Sequence, residues 1–220
     1  MHTHSLKIGV LIGSVRAGRF ADTVADWFVS EARQREDMEV HVIDLAEPAL
    51  VDELGLSFDR SGDRSGDRSG DRSGDRGRDR VGDRGGDGGG DLPRLAQRID
   101  GLDGFVVVTP EYNHGYPASL KLAIDSVHSE WRAKPVGFVS YGGMAGGQRA
   151  VEQLRQVFAE LHAVTVRDTV SFHMAWERFD ERGRPQDPEG VGKAASVLLD
   201  QLAWWGLTLR EGRAVRPYEG

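Results

Sequence analysis

Residues 104–117 read GFVVVTPEYNHGYP. The first six, Gly104 to Thr109, are apolar on both faces of an extended chain. That pattern marks a strand covered from above and below, as in a parallel sheet. The next eight, Pro110 to Pro117, place two tyrosines, an amide, an imidazole and a carboxylate where the strand ends. Two prolines and Gly115 give this connection a fixed shape.

Outward from this stretch, apolar runs alternate with helical spacing. Towards the N-terminus, LKIGVLI (6–12) is predicted as the first strand and VHVIDL (40–45) as the second. Between them, apolar residues at 20, 21, 24, 25, 27, 28 and 32 give a helix over 20–33. A short helix is predicted from Pro93 to Ile99, with Asp91 as its cap. Towards the C-terminus, Pro117 to His128 reads as a helix with proline in its first turn, and PVGFVS (135–140) as the fourth strand. Residues 147–161 form an amphipathic helix through Ala150, Val151, Leu154, Val157, Phe158 and Leu161. Val164 to Val166 opens a fifth strand that can continue toward Phe172. Residues 177–188 read as a polar loop and 191–205 as the last helix. Five strands separated by helices indicate an α/β fold with a parallel sheet between two helical layers. In such sheets ligands sit beyond the carboxyl ends of the strands.

One tract stands apart. Residues 59–91 hold 11 glycines, nine aspartates, eight arginines and one apolar side chain, Val81, so they have almost nothing to bury. Glycine at every fourth position also opposes a helix, by about 1 kcal/mol each. A disordered polyampholyte loop inserted into one domain spanning 1–220 is expected. The formal charge of the whole chain is -7, which argues against a nucleic-acid partner. There are no cysteines, which removes disulfides, thiolate metal sites and cysteine nucleophiles. No metal site is expected. No apolar run approaches the length of a membrane span, and residues 1–7 lack a secretion signal, so a soluble cytoplasmic protein is expected.

Three strand ends carry the chemistry. After the first strand, GSVRAGR (13–19) leads into a helix N-terminus, a natural anion seat. Ser14 offers a hydroxyl there, and Arg16 and Arg19 offer forked charge for phosphate oxygens. The loop is neither a Walker A motif nor the G-x-G-x-x-G fingerprint. After the third strand, Tyr112, His114 and exposed amides can border a flat heteroaromatic ring, with Asn113 adding polar contacts. Glu111 suits bracing or capping, and His114 is open between a catalytic acid, ligand contact and plain polar surface. After the fourth strand, Ser140, Tyr141, Gly142 and Gly143 begin a run, SYGGMAGGQ (140–148), whose glycines expose backbone N–H groups. One phosphate seat and two ring-facing surfaces suit a mononucleotide with a large planar base, and FMN fits best.

The segments GSVRAGR (13–19), TPEYNHGYPASLKLAID (109–125) and KPVGFVSYGGMAGGQRAVEQLR (134–155) resemble the NADPH-dependent FMN reductase family. The resemblance spans roughly 6–58 and 92–176. It implies a flavodoxin-like three-layer sandwich with strand order 2-1-3-4-5, and homodimers or homotetramers. It places Ser14, Arg16 and Arg19 at the FMN phosphate. Pro110, Glu111, Tyr112, Asn113 and His114 would border the ribityl chain and isoalloxazine. Ser140, Tyr141, Gly142 and Gly143 would approach the pyrimidine side of the ring. The implied activity is hydride transfer from NADPH or NADH through flavin N5 to free flavin, quinone or a related small molecule. No catalytic side chain is then needed, since the cofactor carries the chemistry. A flavodoxin-like electron carrier and a non-enzymatic scaffold of the same fold are the alternatives. Arg149 is a candidate for a nucleotide 2′-phosphate, and Trp131 and the tryptophans of the last helix are open between core and subunit interface.

Overall fold

The computed structural model describes residues 5–56 and 93–219. The tract at 59–91, and Asp91 with it, lie outside the described residues. Five strands form one parallel sheet: β1 (Leu6–Ile12), β2 (Met38–Asp44), β3 (Gly104–Pro110), β4 (Pro135–Tyr141) and β5 (Val164–Phe172), in the order β2-β1-β3-β4-β5. Helices α1 (Ala21–Ala32) and α6 (Pro188–Val215) cover one face. Helices α2 (Pro48–Glu53), α3 (Arg94–Asp100), α4 (Ala118–Asp125) and α5 (Gln148–Glu160) cover the other. This is the flavodoxin-like three-layer sandwich.

Strand alternation explains the double core. In β3, Val106 and Val108 enter the core beneath α1 and α6, while Phe105 and Val107 enter the core beneath α3, α4 and α5. The same alternation sends Val139 and Tyr141 of β4 one way and Val136 and Phe138 the other. Trp131, fully buried, is a core residue: its ring meets Phe105 and Phe158 edge-on at 4.9 and 5.4 Å, and its Nε1 donates to Ile124 O at 3.2 Å.

Several boundaries differ from the sequence reading. α2 was not expected, because PALVDE is too short to show a period. The expected Asp91 cap lies outside the described residues; at the start of α3 the Glu53 carboxylate accepts from Arg94 N and Leu95 N at 3.0 and 3.1 Å. β5 runs its full nine residues to Phe172. α6 is 28 residues, ten beyond Trp205, and Gly206 lets it lie close on Leu6, where a Cβ would come within 3.1 Å. On α6, Leu198, Leu199 and Leu202 are buried, whereas Trp204 is 60 % exposed. Among the described residues, no helix is long and apolar enough to cross a membrane.

Candidate functional site

The carboxyl ends of β1, β3, β4 and β5 form one rim. The loop after β1 leaves its donors open. The N–H groups of Ser14, Val15, Arg16, Ala17 and Gly18 meet no hydrogen-bond acceptor among the described residues. Consecutive open N–H groups ahead of a helix make an anion-binding concavity. Arg16 is exposed beside them, its guanidinium carbon 3.7 Å above the Tyr112 ring centroid. Ser14 is fully buried, with Oγ 2.8 Å from Tyr112 Oη. The first and second loops are thereby tied through one phenol.

Arg19 has other work. Its Nη1 donates to Asp44 Oδ1 at 2.7 Å and to Ser14 O, and its Nε donates to Asp22 Oδ1 at 2.9 Å. Its side chain is only 8 % exposed, and the hydrogen bond to Asp44, then that to Asp22, hold it above the ordinary arginine range. Arg19 braces the loop from behind, and the structure does not bring its guanidinium into the open concavity. Sequence spacing could not separate it from Arg16, because Asp44 arrives only through the pairing of β2 with β1.

The second loop is a two-residue hairpin. Tyr112 N donates to Gly115 O at 2.8 Å and Gly115 N to Tyr112 O at 3.1 Å. Asn113 and His114 take φ of 51° and 71°, the pair of positive values that a tight reversal needs. Asparagine tolerates this; histidine does so at a cost of order 1 kcal/mol. Both side chains are exposed at the tip, and Gln153 Nε2 holds His114 O at 3.1 Å. Pro110 ends β3 in register with Tyr141. Glu111 is the brace: its side chain is 7 % exposed and accepts from Arg149 Nε at 2.6 Å and Arg149 N at 3.3 Å. The Arg149 charge is therefore committed to Glu111, which weakens its candidacy for a nucleotide phosphate.

The third loop repeats the open-donor pattern. Gly143, Met144 and Ala145 have N–H groups with no acceptor among the described residues. Ser140 and Ser171 both donate from Oγ to Gly146 O at 2.8 Å, so the Ser140 hydroxyl holds the loop's shape. Gly147, at φ 85°, packs so tightly on β4 that a Cβ would lie 2.7 Å from Ser140 Cβ. The Tyr141 ring lies in the core under α1, 6.2 Å from that of Phe20, with its hydroxyl near Tyr112. Strand alternation dictates this face, and a strand apolar on both sides does not reveal it in sequence. The Tyr141 hydroxyl is buried with no hydrogen-bond partner among the described residues. Burial, then the neighbouring Tyr112, push its pKa up, so it remains a neutral donor.

The sequence reading assigns no role to residues 173–176, which close the rim after β5. Met174 N and Ala175 N donate to Gly143 O and Gly142 O at 2.9 and 3.0 Å. They anchor a short 3-10 turn, Ala175–Glu177, that sets the Trp176 ring against Gly143. Trp176 and Met144 are 58 % and 89 % exposed, an apolar border beside the open donors. The rule that ligands lie past strand ends would have flagged Trp176, had the end of β5 been visible. Among the described residues, no group of three or more His, Asp or Glu side chains is placed to hold a metal ion.

The donor set fits FMN: two stretches of unpaired backbone N–H, one with an uncommitted arginine for a phosphate, one glycine-rich and flat for the polar edge of a ring. Comparisons with known proteins agree on the fold and the family. A flavoenzyme NAD(P)H:(acceptor) oxidoreductase from Paracoccus denitrificans superposes with a TM-score of 0.59 at 19 % identity, over 92 % of this chain and 98 % of that one, which supports the fold. An NAD(P)H-dependent FMN reductase of Schizosaccharomyces pombe is 35 % identical over 153 residues, covering 69 % of this chain and 64 % of the relative. One of Saccharomyces cerevisiae is 34 % identical over 173 residues, covering 69 % and 73 %. The chain thus spans just under two thirds of the first relative's length. The family profile described as NADPH-dependent FMN reductase matches residues 6–177, from the first strand to the Trp176 turn, and the chain belongs to that family.

Proposed function

We propose that the chain is an FMN-dependent oxidoreductase. It takes hydride from NADPH or NADH and delivers electrons to free flavin, a quinone or a related small planar acceptor. The observation that carries this reading is the pair of open backbone-donor sets, at 15–18 and 143–145, on either side of the Tyr112 hairpin.

Bound FMN supplies the hydride-accepting chemistry, and the chain supplies position and charge. Arg16 and the N–H groups of Val15 to Gly18 hold the phosphate. The Asn113–His114 hairpin, kept rigid by Glu111 and Gln153, borders the ring. The N–H groups of Gly143, Met144 and Ala145 favour negative charge at the ring's polar edge, which stabilises the reduced form. Trp176 and Met144 offer stacking area to a planar acceptor. No side chain is needed as acid or base. A homodimer or homotetramer belongs to the same proposal, and sedimentation of the FMN-loaded chain reads it.

The test is anaerobic stopped-flow mixing of the FMN-loaded protein with each nicotinamide, followed by a quinone or free flavin. Loss of the flavin absorbance with NADPH or NADH and its return with the acceptor is expected. Tight FMN that neither nicotinamide reduces would leave only an electron carrier.

A further inference from the structure

The same rim carries a second concavity, on the far side of the glycine loop. It encloses about 240 Å3 between the end of β5, the turn leading to α6 and the first turn of α6. Its lining is mostly apolar, through Phe172, Pro185 and Val191, with Gln186, Asp187 and Arg178 adding polar groups.

Arg178 is the unusual member. Its Nε donates to His173 O at 3.1 Å, which anchors the guanidinium, and it has no carboxylate partner among the described residues. Other arginines are committed: Arg184 to Asp180 at 2.7 Å, Arg149 to Glu111, Arg19 to Asp44. Asp187 is equally fixed. One oxygen accepts from Gly190 N at 3.0 Å, and a Cβ at Gly190 would lie 2.2 Å from the other. The cavity therefore presents apolar faces, an amide and a carboxylate that can accept from an exocyclic amine, and an uncommitted arginine. A purine with an amine edge and a phosphate tail meets every one of these groups. The negative charge of Asp187 turns the amine edge, and not the phosphate, toward α6.

The cavity also shares a wall with the candidate flavin site. Ser171 and His173 line it, and both reach the glycine loop, Ser171 Oγ to Gly146 O at 2.8 Å and His173 Nδ1 to Met144 O at 2.7 Å. A dinucleotide that reached both sites would cross this shared wall.

We propose that the cavity at Arg178 and Val191 is the seat of the adenosine phosphate half of the hydride donor. The proposal rests on the reading of the chain as an NAD(P)H-dependent flavin enzyme.

The experiment is calorimetric titration of the FMN-loaded protein with AMP and with adenosine 2′,5′-bisphosphate, for wild type, Arg178→Ala and Val191→Trp. Binding of one or both probes by wild type is expected, weakened about tenfold or more by Arg178→Ala through loss of a charged hydrogen bond. Val191→Trp fills the cavity and should abolish binding, while FMN affinity stays unchanged in both variants. KM for the nicotinamide should rise in parallel, with KM for the acceptor unaffected. Preference for the bisphosphate assigns Arg178 to a 2′-phosphate; equal binding assigns it to the 5′-phosphate. Probe binding that is absent in wild type, or unaltered by both variants, overturns the proposal. Arg178 is exposed and outside the core, so its variant folds. A protein that binds the probes yet is not reduced by NADPH would instead refute the activity and leave the cavity assignment standing.

Discussion

At the amino-terminal rim of the sheet, Lys134 Nζ donates to the carbonyls of Ile99 and Asp100, both at 2.9 Å. Asp103 there accepts from Lys7 N at 3.0 Å and from Arg210 Nη1 at 3.2 Å, and Arg213 reaches Ala133 O. At the carboxyl-terminal rim, five N–H groups after β1 and three after β4 have no acceptor among the described residues. Positive φ occurs at both rims: Ala133 and His162 on one, Asn113, His114 and Met174 on the other. Backbone strain therefore does not identify the functional end. What separates the two is whether donors are spent on the protein or kept for something else.

The contrast can be broken most severely at Gly147. Its φ of 85° and the 2.9 Å approach of a Cβ to Tyr141 N leave no room for a side chain. Gly147→Ala should cost about 4 kcal/mol, from strain plus overpacking, and remove the loop that faces the ring. Urea unfolding and FMN titration read both losses; a variant of wild-type stability would show that the loop is not built on this contact.

At the opposite rim, burial, then the repulsion of Arg213, lower the Lys134 pKa from 10.5 to about 8. The unfolded chain then binds the proton more tightly than the folded one. Stability is penalised below pH 8 and recovers as pH rises from 8 toward 10.5, by up to about 3 kcal/mol. In Lys134→Met this rise should be missing. Comparing unfolding free energies of the two proteins at pH 7 and pH 10 checks the sign, and identical pH profiles would refute it.

Arg16→Ala leaves the core untouched, so stability should hold within about 0.5 kcal/mol. FMN affinity should fall about 30-fold, the loss of roughly 2 kcal/mol of charged hydrogen bonding. Riboflavin, which lacks the phosphate, should bind wild type and variant alike, and fluorescence quenching of both flavins sharpens the assignment. The smallest effect is expected at His114. Gly suits its φ of 71°, so His114→Gly should stabilise by about 1 kcal/mol. If it also abolishes flavin reduction, His114 is more than a turn residue.

Much of this architecture was readable in sequence, for reasons that vary along the chain. β1, β3 and β4 announce themselves because both faces are apolar, and α5 because Ala150, Val151, Leu154 and Phe158 keep helical spacing. The three loops could be located because strand ends are fixed by topology. The roles inside them could not. Arg16 and Arg19 stand three residues apart with the same chemistry, and only Asp44 and Asp22 decide that one braces while the other stays exposed. Glu111 and Arg149 pair across 38 residues of sequence. Tyr141 and Ser140 face opposite layers, a choice made by pleat and register.

Glu53 joins two pieces of chain that are neighbours in space and far apart in sequence. By accepting from Arg94 N and Leu95 N, it fastens the end of α2 to the start of α3. The core beneath these helices is complete on either side of that clasp. Closing a loop of twice the length costs only about 0.6 kcal/mol more. A change in the number of residues between the two helices would therefore alter the cost of closing the fold only slightly, while the clasp that joins them stays in place.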